Sequence, residues 1–105
     1  MEKNMRDEIV QSGVKDPVRG LSIVMPCLNE SLTIRTCIQR AKAFLHTLDI
    51  PVELIVADNG STDGSIEICL EEGVKCLRVS QKGYGAALHY GIMAASGSHI
   101  IFGDS

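Results

Sequence analysis

Residues 53–65 read ELIVADNGSTDGS. Leu54, Ile55, Val56 and Ala57 run without interruption into Asp58, Asn59 and Gly60. A short, continuous apolar run bounded by turn formers reads as a strand buried on both faces, as in a parallel sheet. Ser61 or Thr62 is placed to cap a following helix carrying Ile66, Cys69 and Leu70. Asp63 falls in its expected first turn, where the helix dipole favours an acid, and Gly73 ends it. The run therefore leads from a buried strand through a turn into a helix, and the strand finishes on a carboxylate.

The same layout extends in both directions. Leu21 to Met25 (LSIVM) is a short apolar run, and Pro26 is expected to stop it. Ile34, Cys37, Ile38, Ala41, Leu45 and Leu48 recur at helical spacing, with Ser31 as the expected N-cap and Pro51 closing the unit. Lys75 to Val79 reads as a third strand. A helix rich in small residues follows Lys82-Gly83-Tyr84-Gly85, reaches about Ala95 and is ended by Gly97; His99 to Phe102 is a fourth strand. Strands alternating with helices specify an α/β domain with an open, largely parallel sheet. Residues 21–105 form that domain. Residues 1–20 precede it as a polar, mobile tail, with a helical turn expected around Met5 to Val10.

Composition narrows the function classes. The chain has 105 residues, enough for one small domain, and its 45% hydrophobic content is that of a globular protein. A net charge of −3 with 4% aromatics argues against a nucleic-acid binder, which shows a basic face. No apolar run approaches a membrane span, and the N-terminus is too polar for a signal peptide. Cys27, Cys37, Cys69 and Cys76 form no Cys-x-x-Cys pair, so they are read as reduced, apolar fillers.

In open α/β sheets ligands bind outside the carboxyl ends of the strands, so the residues that follow each strand are the candidates. These are Pro26 to Glu30, Asp58 to Gly60, Ser80 to Gly85, and Gly103 with Asp104. A carboxylate at such an edge serves a base or ribose, or a divalent metal. Asp58 and Asp104 are the candidates, and the competing role of Asp58 is an Asx-type turn. Glu30 has a competing role as a helix-start acid. Gly83 and Gly85 before a helix suit a phosphate, with Lys82 adding charge, and equally suit a tight helix–strand turn. Neither a dinucleotide fingerprint nor a GK[ST] phosphate loop is present.

Together, LSIVMPCLNE, ELIVADNGSTDGS and KGYGAALHYGIMAASGSHIIFGDS resemble three successive motifs of the family 2 inverting glycosyltransferases of GT-A fold. The wording Gly-Tyr-Gly-Ala-Ala-Leu and Gly-Asp-Ser is nearest to the dolichyl- or polyprenyl-phosphate sugar synthases. The resemblance implies a Rossmann-like donor-binding half. Pro26, Leu28 and Glu30 would line the nucleoside pocket, Val56 would pack on the base, and Asp58 would accept from a base N–H. Lys82 and Ser105 would also touch the donor. Asp104 would open the Asp-x-Asp motif beside the diphosphate and its Mg2+ or Mn2+. The donor would be a UDP- or GDP-sugar, and the acceptor a lipid phosphate of the polyprenyl type. The full-length enzyme would be cytoplasmic, at the cytoplasmic membrane surface when the acceptor is a lipid.

Three departures from the family pattern stand out. Leu28 replaces the common aromatic, Asn59 the frequent second Asp, and His89 an expected Arg. Ser105 is the last residue, one position before the second Asp of Asp-x-Asp, and no residue is assignable as the catalytic base. The chain is therefore expected to be an N-terminal fragment, inactive alone. The alternative function is a non-catalytic remnant that binds a nucleotide or a protein. A sugar nucleotidyltransferase would want a glycine- and arginine-rich loop at Pro26 to Glu30, which is absent.

Overall fold

The computed structural model describes residues 20–103. The tail, with its expected turn at Met5 to Val10, and the pair Asp104 and Ser105 lie outside the described residues. Four strands and three helices alternate: β1 (Leu21–Cys27), α1 (Ile34–Leu45), β2 (Val52–Asp58), α2 (Ser65–Glu71), β3 (Lys75–Arg78), α3 (Tyr84–Ala94) and β4 (His99–Phe102). The strands form one parallel sheet in the order β3-β2-β1-β4. The α/β class and the parallel sheet read from the sequence are those of the structure.

Side-chain alternation gives the sheet a core on each face. Leu21, Ile23, Met25 and Cys27 of β1, with Leu54 and Val56 of β2, face Ile34, Ile38 and Leu45 of α1 and Cys69 of α2. Ile34 and Ile38 are fully buried, which stabilises by about 2 kcal/mol each relative to exposure. On the other face Ala57, Val79 and Ala87 cluster beneath α3. α3 lies close to the sheet because Gly91 has no side chain; a Cβ there would sit 2.4 Å from Val24 Cγ1.

Local details depart from the sequence reading. Pro26 does not stop β1, which runs on to Cys27. Odd-numbered β1 residues direct their backbone groups to β2, as in Asn59 N to Cys27 O, and even-numbered ones to β4, as in Gly103 N to Val24 O. The missing proline N–H thus falls on the β4 side, past the last described β4 pairing at Val24–Phe102, and among the described residues it interrupts no ladder. Ser31 is not the α1 cap. It lies in a turn whose Glu30 carbonyl accepts from Thr33 N and Ile34 N, and Thr33 is the N-cap. Neither Ser61 nor Thr62 caps α2, whose N-cap is Gly64. Asp63 precedes the helix, and its carboxylate accepts from Ser65 N. On α2, Leu70 is exposed and Ile68 packs inward. α3 closes at Ala94, where Ala95 turns extended, before Gly97 is reached.

All four cysteines are free. Burial pushes the Cys27 thiol up to about 11 and the Cys69 thiol up to about 12. Both are therefore protonated, inert fillers near neutrality. At pH 8 they are expected to alkylate at least about tenfold more slowly in the folded chain than in urea. Mass spectrometry of labelled peptides checks this, and equal rates would contradict their placement in the core.

Candidate functional site

After β1 and β2 the chain turns toward α1 and α2; after β3 it turns to the opposite face and α3. The connections part at the carboxyl edge of the sheet, the geometry that opens a crevice in α/β folds.

The β1–α1 and β2–α2 connections are stitched together. Asn29, at φ 54°, accepts from Thr62 N at 2.8 Å, and its own N–H donates to Ser61 Oγ at 2.9 Å. Glu30 N donates to Ser65 Oγ at 3.0 Å, and Ser31 N to Asp63 Oδ2 at 2.9 Å. The Ser65 hydroxyl and the Ser31 amide hold the Asp63 carboxyl well below the usual carboxylate range. That contribution is fully present above the unfolded carboxylate's pKa of about 4 and fades only as the pH falls toward the lower folded value.

Asp58 is spent within its own loop. Its Oδ2 accepts from Gly60 N at 3.0 Å and Ser61 N at 2.8 Å, and its Oδ1 accepts from the Ser61 hydroxyl at 2.6 Å. The residue is 1% exposed. This is the turn role weighed against ligand contact in the sequence. Asn59 bonds in a different direction. Its Nδ2 donates to Val79 O at 3.1 Å and Gln81 O at 2.7 Å, and its Oδ1 accepts from Gly83 N at 2.7 Å.

A cleft of about 600 Å³ opens between these connections. Pro26, Cys27, Leu28 and Glu30 line one side; Lys82, Gly83, Tyr84 and Ala87 line the other, with Asn59 between. Leu28 and Tyr84 present exposed apolar surface. The Lys82 Nζ lies 3.9 Å from the position a Cβ on Gly60 would take, so the ammonium leans over the β2–α2 connection. A smaller cavity, lined by residues such as His46, Val52 and Gly73, lies at the amino end of β2, away from the carboxyl edge.

The cleft therefore brings together Pro26, Leu28, Glu30 and Lys82 of the expected site residues. Val56 points into the α1–α2 core and Asp58 into its loop, so in this arrangement neither reaches the cleft. A strand buried on both faces carries no alternation, and the direction of Val56 was not readable from it. Asp104 and Ser105 are outside the described residues. Among the described residues no cluster of three or more His, Cys, Asp or Glu side chains is placed to hold a metal. Asn59 and Tyr84 were missed as cleft residues. The signal for Tyr84 was its place inside the glycine-flanked turn; for Asn59 there was none beyond turn propensity. Among the described residues no helix is long and apolar enough to cross a membrane.

Residues 22–105 match the family described as Glycosyl transferase family 2. The low-salt glycan biosynthesis hexosyltransferase Agl6 of Haloferax volcanii is 40% identical over 99 residues, covering 94% of this chain and 24% of that protein. The dolichyl-phosphate beta-glucosyltransferase of Drosophila melanogaster is 28% identical over 102 residues, covering 85% of this chain and 31% of that protein. Among solved structures, glucosyl-3-phosphoglycerate synthase of Mycobacterium tuberculosis, in complex with Mn2+, UDP and glucosyl-3-phosphoglycerate, superposes with a TM-score of 0.73. Its identity is 33%, over 83% of this chain and 33% of that one. The same enzyme has been crystallised with Mg2+ and UDP. The chain thus spans 24% to 33% of the length of these relatives.

Proposed function

Because the chain belongs to glycosyl transferase family 2, we propose that its cleft holds the nucleoside diphosphate of a sugar-nucleotide donor. The whole protein would transfer the sugar of a UDP- or GDP-linked donor to an acceptor, with inversion. The observation that carries this reading is that Glu30 and Lys82 line one cleft at the carboxyl edge of a parallel sheet. A carboxylate accepts from ribose hydroxyls, and an ammonium offsets diphosphate charge. Leu28 and Tyr84 supply apolar walls for the base, and Pro26 lines the same cleft.

No cluster among the described residues would hold a divalent ion, so the residue that would take one is Asp104, outside them. Gly103 N donates to Val24 O, so the backbone keeps its register beside β1 up to the residue before Asp104. A carboxylate is a hard oxygen donor of the kind Mg2+ and Mn2+ take, and the resemblance would have Asp104 hold the ion, with Ser105 touching the donor. When bound, the ion would offset charge on the leaving diphosphate. UDP with Mn2+ or Mg2+ in glucosyl-3-phosphoglycerate synthase supports a uridine donor and a metal requirement. The dolichyl-phosphate relative supports a lipid-phosphate acceptor. Such an acceptor is already anionic and needs no protein base to deprotonate it.

Calorimetry with UDP and with GDP, each with and without Mn2+, tests the reading. One of the two is expected to bind more tightly with Mn2+ present. Lys82→Ala is expected to weaken that binding about tenfold, the size of one charge-assisted contact. No binding of either nucleotide, or binding indifferent to Lys82, would overturn it.

A further inference from the structure

We propose that Asn59 is a positioning residue: its side-chain amide holds the β3–α3 connection in the shape that presents Lys82 and Tyr84 to the cleft. The role of Lys82 as a diphosphate contact rests on the donor-binding reading; the clamp itself rests on geometry.

Three of the four hydrogen-bonding positions of the Asn59 amide are filled, and all three partners belong to one five-residue stretch, Val79 to Gly83. Two partners are carbonyls, which only accept, and one is an N–H, which only donates. The orientation of the amide is therefore determined by its partners. The chemistry is also selective. An aspartate at position 59 would keep the Gly83 bond but set a carboxylate oxygen against the carbonyls of Val79 and Gln81. An alanine would leave two carbonyls and an N–H without their partner at a residue that is 7% exposed.

The clamp is anchored at its base. Asn59 N donates to Cys27 O at 2.9 Å, and Val79 N donates to Asp58 O at 2.7 Å. The ends of β1 and β2 are therefore joined to the segment that follows β3. Lys82 lies between two of the clamped residues, Gln81 and Gly83, and Tyr84 is the first residue of α3. Gly83 itself adopts φ 113°, ψ 153°, a conformation essentially confined to glycine. The backbone on either side of Lys82 is thus set, by Asn59 bonds at both flanks and by glycine geometry after it, while the Lys82 side chain stays exposed in the cleft.

Two measurements on the full chain separate the clamp from the donor reading. With no nucleotide present, Asn59→Ala is expected to speed exchange of the Gly83 amide about tenfold or more, with the amides of β1 and β2 still protected. Should that variant fail to fold, Asn59→Ser serves for the same measurement. Unchanged exchange at Gly83 overturns the clamp, whatever binds. With UDP or GDP present, Asn59→Ala and Lys82→Ala are combined in a double-mutant cycle. If Asn59 acts through Lys82, each single change weakens binding about tenfold and the pair does little worse than either. Losses that multiply to about a hundredfold assign Asn59 a merely structural role and overturn the positioning. A wild-type chain that binds neither nucleotide overturns the donor reading and with it the route through Lys82, and the exchange measurement alone decides the clamp.

Discussion

Asp58→Ala is expected to cost about 3 kcal/mol of folding stability, because it leaves the Gly60 and Ser61 amides and the Ser61 hydroxyl without an acceptor beneath the loop. That is a large share of the 5–15 kcal/mol typical of a whole domain. The effect would reach beyond one turn. Ser61 Oγ also accepts from Asn29 N, and Asn29 in turn accepts from Thr62 N, so the loss loosens the stitch between the first two connections. At a urea slope of about 1.5 kcal/mol/M the midpoint should fall by about 2 M. Asp58→Asn separates charge from connectivity. Its Oδ1 can still accept from the two amides while its Nδ2 donates to Ser61 Oγ, so a cost of only about 1 kcal/mol is expected. Equal and small costs for both variants would sink the loop role. The same pair bears on ligand contact: if Asp58 serves only its loop, Asp58→Asn keeps nucleotide affinity. If the carboxylate accepts from a base N–H, that affinity falls.

Gly91→Val is expected to be the most damaging single change on the α3 side. The new Cβ would approach Val24 Cγ1 to 2.4 Å and Ala57 Cβ to 3.6 Å, and both neighbours are fully buried. Val24 has little χ1 freedom with which to retreat, so α3 must move off the sheet. Overpacking of this kind costs about 3 kcal/mol, more than the gain of up to about 1 kcal/mol from replacing a helical glycine. For a domain of this size the melting temperature should fall by about 15 °C. Val24→Ala in the same chain should restore part of the loss by making room. A Gly91→Val protein that melts with the wild type would show that α3 does not lie as close to β1 as described. Because α3 begins at Tyr84, its displacement would also disturb the cleft.

The architecture was largely legible in the sequence. Each apolar run became a strand, the spacing from Ile34 to Leu45 became the buried stripe of α1, and Gly73 closed α2 with φ +73°. The site was legible in part. Glu30 and Lys82 lie where strand ends were expected to place them, on opposite sides of one cleft. Asp58 stands at the carboxyl edge, and of its two competing roles its hydrogen bonds favour the turn. The cap role expected of Ser31 and the direction of Val56 were not legible for one shared reason. Propensity reports which kind of element a residue suits, whereas the face it turns to depends on partners from other elements.

The order of apolar runs and turn residues was enough to specify a parallel, alternating sheet, because runs without alternation must be covered on both faces and parallel neighbours need helical crossovers. It was also enough to single out the candidate edge, since the residues following each strand share one side of such a sheet. The fold alone decided which of those residues face the cleft and which hold the loops in place. Asn59 finds its partners 20, 22 and 24 positions away. The carboxylate next to it closes on residues two and three positions ahead. Both are short polar side chains in one turn, and only the strand beside each could assign them opposite tasks.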